Sequence, residues 1–318
     1  VQSPKSIFPM FISYNWLREL TSTKLSAQDL REGLTMVGLA IDAVEEHASD
    51  QILDVEVPSN RPDCLSHIGI AREVTVIENG VLSLPLLTEP PTDGKAESFT
   101  SVEIEDLELC PRYAARLIRG VKIGPSPDWL VKKLEGIGQR SINNVADITN
   151  YVLHEMGQPL HAFDFQKLGG RRIVVRRARA GENLKTLDGV DRALTTEMLV
   201  IADAEKAVAL AGIMGGEDSE ISNSTTDVLI ESAYFNPDSV RRTARALGMD
   251  TEASRRFERG ADCDGVLRAQ LRCVQLICEL AGGVATDNAI DVYPNPMPEK
   301  VVSLRPERVK GLTSLEVE

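Results

Sequence analysis

Val228-Leu229-Ile230-Glu231-Ser232-Ala233-Tyr234-Phe235-Asn236-Pro237 holds a strand ending and a helix start side by side. Val228, Leu229 and Ile230 make the short continuous apolar run of a buried strand, and Glu231 closes it. Asn236 before Pro237 is an N-cap with proline in the first turn, so a helix starts there and Gly248 stops it. Upstream, the pattern predicts strands over 173–177, 199–202 and 207–213, with a hairpin turned at Asp188-Gly189. Strands and helices come in runs rather than in strict alternation, which predicts an α+β fold.

Further helices frame these strands. Ser126-Pro127 is expected to start one carrying Trp129, Leu130, Val131 and Leu134. Val145, Ile148, Val152 and Met156 stripe another that Gly157 closes, and a longer one bears Val266, Leu271, Val274 and Ile277 before Gly282-Gly283. Together they outline a large unit over 101–295, a mixed sheet with flanking helices. A small α/β unit, 10–81, precedes it. There Ser26 and Asp29 cap a helix with Leu30, Leu34 and Val37, a strand covers 39–44, Ile52-Leu53-Asp54-Val55-Glu56-Val57 alternates as a half-buried strand, and a helix runs from Ser66 to Gly80. Pro85, Pro90, Pro91 and Gly94 mark 82–100 as a linker. Residues 296–318 read as a second linker and the truncated start of a further domain, and 1–9 as a leading extension outside the fold.

A chain of 318 residues is long enough for two or three compact units, each expected to bury its own core. Aromatics are only 4%, so those cores rest on aliphatic side chains. Cys64, Cys110, Cys263, Cys273 and Cys278 are odd in number and nowhere spaced Cys-x-x-Cys, which argues against a disulfide framework or a zinc site and for the reducing cytoplasm. No apolar run is long enough for a membrane span. With a formal net charge of −13, any contact with a polyanion needs local basic patches. Two candidates are Arg171, Arg172, Arg176, Arg177 and Arg179 on a strand, and Arg241, Arg242, Arg245, Arg255, Arg256 and Arg259 on a helical stretch; solvated faces balancing the acids is an equal reading.

Standard catalytic motifs do not fit. Gly212-Ile213-Met214-Gly215-Gly216 lacks both the Gly-Lys-Ser/Thr ending and the GxGxxG spacing, so close backbone packing beside a ligand is the better reading. His161 follows a Gly-Gln-Pro turn, from which its ring is expected to project on a loop. Glu231, at a strand end beside Tyr234 and Phe235, either faces a pocket or caps the helix at Asn236.

Several longer phrases carry a resemblance. Val57-Pro58-Ser59-Asn60-Arg61-Pro62-Asp63-Cys64-Leu65, Gly69-Ile70-Ala71-Arg72-Glu73, Asp147-Ile148-Thr149-Asn150-Tyr151, Gly157-Gln158-Pro159-Leu160-His161-Ala162-Phe163-Asp164 and Thr251-Glu252-Ala253-Ser254-Arg255-Arg256-Phe257-Glu258-Arg259-Gly260 follow one another in order. This series is similar to the bacterial-type phenylalanyl-tRNA synthetase β subunit. The resemblance implies a B1-like first unit, a B3/B4-like editing module over 101–295 and a B5-like start after it. The family usually carries an OB-type tRNA-binding insert inside the first unit, whereas here Val44-Glu45-Glu46 leads almost directly to Ile52.

The implied chemistry is hydrolysis of tyrosine mischarged onto tRNA(Phe), since a phenylalanine pocket cannot strongly reject an analogue that only adds a hydroxyl. On matching positions Glu231 would accept the phenolic hydrogen bond, Gly215 would leave room for the ring, and Thr251 and Ala253 would line the pocket. Asn150 and His161 would sit beside the ester. Arg176, Arg177, Arg241 and Arg245 would meet the acceptor end of the RNA. No metal or cofactor is implied here; ATP and Mg belong to the complete (αβ)2 synthetase with its α subunit, so this chain alone would not charge tRNA. Two rival readings are a structural, RNA-docking module active only in the full assembly, and a free-standing editing factor.

Overall fold

The computed structural model describes residues 10–314 and 316, so the expected extension over 1–9 lies outside the described residues. The first elements are β1 (Met10–Ser13), α1 (Tyr14–Thr21), α2 (Ala27–Met36), β2 (Ala40–His47), β3 (Asp50–Glu56) and α3 (His67–Glu78). Then come β4 (Ser101–Ile104), β5 (Arg112–Arg119), α4 (Asp128–Gly136), α5 (Asn144–Met156), β6 (Leu160–Asp164), β7 (Arg172–Arg177), β8 (Asn183–Lys185), β9 (Asp191–Ala193), β10 (Leu199–Ala202), β11 (Ala207–Leu210) and β12 (Met214–Gly215). The rest are β13 (Asp227–Tyr234), α6 (Pro237–Leu247), α7 (Glu252–Phe257), α8 (Val266–Leu280), β14 (Val284–Ala285), β15 (Ile290–Val292) and α9 (Pro306–Thr313).

The fold is α+β. β1, β3 and β2 form an antiparallel sheet in that order. A second antiparallel sheet runs β14-β5-β13-β6, with β15 also pairing to β5. The third, β12-β11-β10-β7-β4, is mixed because β4 lies parallel to β7. β8 and β9 pair across the expected Asp188-Gly189 turn, where Gly189 takes φ +76°.

Successive residues of a strand face opposite sides, and β13 uses both. Val228 and Ile230 join an apolar cluster with Ile148 and Val152 of α5 and Val274 and Ile277 of α8. Leu229 and Ala233 join a second cluster with Ile173, Val175, Val200 and Leu210 of the mixed sheet. The antiparallel sheet is thus the middle layer, with helices on one side and the mixed sheet on the other.

The first unit does not close a core of its own. Trp16, Leu30, Leu53 and Ile70 belong to the same cluster as α5 and α8. A unit of about 70 residues buries a small share of its surface alone, and packing onto the helices supplies the remainder. The linker over 82–100 is irregular but pinned: the Ser83 amide donates to the Leu20 carbonyl and the Asp93 amide to the Ala285 carbonyl.

Other expectations change in detail. Ser126 does not cap α4; its hydroxyl donates to the Asp147 carboxylate at 2.5 Å, and Pro127 occupies the cap position without a side-chain bond. The segment after the Gly-Gln-Pro turn, expected as loop, is the strand β6. β5, not anticipated at all, pairs with β13, β14 and β15. Asn236 caps α6 and Gly157 ends α5 in the left-handed conformation, as read.

Where the insert would stand, His47 pairs directly with Asp50, so Ala48 and Ser49 close β2 and β3 as a two-residue turn. Ala48 sits at φ +52°, a conformation costing an alanine about 1–2 kcal/mol. Glycine removes that cost while loosening the unfolded chain by about 0.4–1 kcal/mol. Ala48→Gly is therefore expected to stabilise the protein by about 0.5 kcal/mol, read as a higher urea midpoint at unchanged slope.

Candidate functional site

Glu231 of β13 and His161 of β6 are directly opposite each other in the antiparallel register. Both lie on the face turned to the mixed sheet, Glu231 two residues from Leu229 and His161 two from Phe163. With Gly212, Ile213, Gly215 and Ala253 they line a narrow cavity of about 60 Å³.

Glu231 is 8% exposed, and the Tyr113 hydroxyl donates to its Oε2 at 2.6 Å. Its other oxygen has no hydrogen-bond partner among the described residues. Burial lifts the carboxyl to about 7, against which the Tyr113 hydrogen bond pulls it down. Burial takes the His161 imidazole down to about 4, so the ring is neutral near pH 7. The ring stands edge-on to Phe163 at 4.4 Å between centroids, and its buried Nε2 lacks a partner. A polar atom so placed is open to a ligand or water.

The glycines set the cavity wall. A Cβ on Gly215 would lie 2.4 Å from His161 Cε1 and 2.7 Å from Nε2, so the imidazole already fills the room that the missing side chain leaves. Gly212 takes φ +69°, and a Cβ there would come within 3.0 Å of both Phe235 and Phe257. Thr251 does not line the cavity. Its hydroxyl donates to the Ile213 carbonyl at 3.0 Å and accepts the Ser254 amide as the N-cap of α7, which fixes Ala253 against the glycine segment.

Asn150 is not brought to this cavity. It lies mid-way along α5, whose apolar residues pack with Val228 and Ile230 on the opposite face of the sheet from Glu231. Glu231 does not cap α6 either, because the Asn236 side chain accepts the amides of Asp238 and Ser239. Tyr113, the buried donor to Glu231, was missed because Arg112-Tyr113-Ala114-Ala115 gives no strand pattern.

The arginine clusters divide. Arg176 is buried and grips Glu182 with two hydrogen bonds of 2.8 and 2.7 Å, and Arg177 pairs with Asp106 and Glu197. The buried Arg176 is thereby withdrawn from the expected RNA contacts, whereas Arg177 stays at the surface in ion pairs of small energy. Arg256 is likewise buried, bonding Glu252 and the Leu65 carbonyl. Arg241, Arg242 and Arg245 are exposed on α6 with no ion pair among the described residues.

Two other places fit less well. A larger cleft of about 370 Å³ is lined by Pro62, Ile68, Leu84, Met156, Arg256 and Arg268, but none of the unpartnered buried polar atoms lies on it. Asp63, Cys64 and Glu73 bring three metal-type donors within 4.8 Å, yet the Arg61 guanidinium bonds all three. A cation already stands where the metal would go.

Residues 109–282, which contain the whole cavity, match the family described as the B3/4 domain. The phenylalanine–tRNA ligase β subunit of Syntrophotalea carbinolica is 54% identical over 258 residues, 81% of this chain and 32% of that one. The chain belongs to the phenylalanine–tRNA ligase β-subunit family. The β subunit of Rhodopirellula baltica is 43% identical over 309 residues, covering 97% of this chain and 45% of its own. An N-terminal fragment of the Pyrococcus horikoshii phenylalanyl-tRNA synthetase β subunit shares 16% identity at a TM-score of 0.43, over 98% of this chain and 86% of the fragment. This member spans about a third of the length of the first curated β subunits it matches. None of its helices, among the described residues, is long and apolar enough to cross a membrane.

The raised Glu231 carboxyl makes stability depend on pH. Its folded value, about 7, exceeds the ordinary 4.5, so the native state binds the proton more tightly; that contribution is complete below pH 4.5 and is lost as pH climbs through 7. The full range corresponds to about 3 kcal/mol. Glu231→Gln, which cannot ionise, should match the parent at pH 4.5 and exceed it in urea midpoint at pH 8.

Proposed function

We propose that this chain is the editing part of a phenylalanine–tRNA ligase β subunit and hydrolyses the ester of tyrosine misattached to tRNA(Phe). The observation that carries the reading is the buried Glu231 carboxylate with one oxygen unbonded, facing a cavity that also holds the unpartnered His161 Nε2. An ionised carboxylate only accepts, so it rewards the phenol of tyrosine and gains nothing from the ring edge of phenylalanine. The His161 imidazole rests against the bare α-carbon of Gly215, so a tyrosyl ring that takes that room displaces it.

Chemically, water adds to the ester carbonyl and the ribose oxygen leaves. Neutral His161 positions the water or the ester through Nε2; with a value near 4 it is a weak base, and orientation rather than proton abstraction is its contribution. Ala253 closes the wall and Thr251 holds it there. The exposed Arg241, Arg242 and Arg245 on α6, which have no ion pair among the described residues, meet the phosphates of the acceptor end. No cofactor is required, and ATP, Mg and the α subunit belong to charging by the complete synthetase in the cytoplasm.

Deacylation of tyrosyl- and phenylalanyl-tRNA(Phe) by the purified chain tests the reading. Glu231→Ala should slow the tyrosyl reaction by about 10- to 100-fold, the worth of a hydrogen bond to a charged group, and change the phenylalanyl reaction little. Parallel losses on both substrates, with a lowered melting point, would sink the recognition role. His161→Ala should slow tyrosyl hydrolysis about 100-fold in a protein of unchanged circular dichroism. An unchanged rate in the folded variant would remove His161 from the site.

A further inference from the structure

The donor to Glu231 is itself a phenol. Tyr113 lies on β5, where Ala115 stands opposite Glu231 and Tyr113 opposite Ala233, so Tyr113 and Glu231 are diagonal neighbours on one face. The Tyr113 ring is fully buried, and its Oη reaches Oε2 at 2.6 Å, a length typical of charge-assisted bonds.

We propose that Tyr113 is a positioning residue for tyrosine recognition: an internal phenol that anchors one oxygen of Glu231 so that the other is presented, as an oriented acceptor, to the phenol of the substrate. The inference rests on the reading of Glu231 given above. A carboxylate can turn about its last bond and offer either oxygen, and it has lone pairs enough for two phenols. Nothing else in the site fixes which oxygen faces the cavity. From β6 His161 comes opposite Glu231 but makes no hydrogen bond to it, and its burial keeps it neutral. Cys110, the other titratable group nearby, is fully buried with its thiol proton held by burial. Gly212, Gly215, Ala253 and Phe257, from the glycine segment and α7, bring no charge.

Two consequences separate this role from packing. Without the Tyr113 donor the carboxylate loses the bond that favours its ionised form, so it takes up a proton at higher pH. Its acceptor also loses a fixed direction, so the preference for a phenol over a bare ring falls.

Tyr113→Phe keeps the ring in the core and deletes only the hydroxyl. Rates on tyrosyl- and phenylalanyl-tRNA(Phe) from pH 6 to 9 should show about a tenfold fall in the tyrosyl-to-phenylalanyl ratio. The midpoint at which that ratio rises should move upward in pH. A ¹³C resonance of the Glu231 carboxyl should move its titration the same way without any substrate. Site-specific 3-fluorotyrosine at position 113, a stronger donor, should shift both midpoints downward. A merely structural residue would depress both substrates together and leave the midpoints in place, and that result would overturn the proposal. An unchanged ratio and midpoint in Tyr113→Phe, alongside a selective loss in Glu231→Ala, would overturn the role of Tyr113 alone. Indifference of the ratio to Glu231→Ala would overturn both readings.

Discussion

A slip of one residue in the pairing of β6 with β13 would turn His161 toward the helices and leave Glu231 facing nothing it could serve. The register holds because both faces of the sheet are committed: Val228 and Ile230 pack on α5 and α8, and Leu229, Ala233 and Phe163 pack on the mixed sheet. Glu231 and His161 thus stand at positions that packing would otherwise give to apolar side chains. Their shifted proton affinities follow from that placement, the acid held up and the base held down by one cause, loss of water.

The sequence spoke clearly where local rules act and fell silent where burial decides. Asn236-Pro237, Ser26 with Asp29, and Gly157 carry their cap and stop chemistry in a few residues, and the structure uses all of them. β5 carries no such mark: Arg112, Ala114, Ala115 and Arg116 favour a helix locally, and the strand forms because β13 and β15 flank it. Missing β5 meant missing Tyr113. The same gap hid the true place of Asn150, since deciding which face of the sheet α5 covers requires knowing that the sheet exists.

Charge shows a similar limit. Two arginine-rich stretches looked alike in the sequence, but Arg176 and Arg256 turned inward to Glu182 and Glu252, and a buried guanidinium keeps its partner because leaving it unpaired would be costly. On α6, whose Val240 and Ala244 pack inside, Arg241, Arg242 and Arg245 are left to solvent. A protein of net charge −13 thereby still presents three neighbouring cations on one helix, and a polyanion is drawn by such a local patch rather than by the global field.

The turn at Ala48 and Ser49 has a meaning beyond its own geometry. His47 and Asp50 are paired across it, so the chain leaves and returns within roughly 5 Å at an exposed tip. A folded cargo whose own ends lie close together could be spliced in there at the cost of little more than the Asn15 bond to the Ser49 carbonyl, since closure entropy grows only slowly with length. Length at this tip is thus a nearly free variable of the fold, and the two-residue hairpin is its short limit.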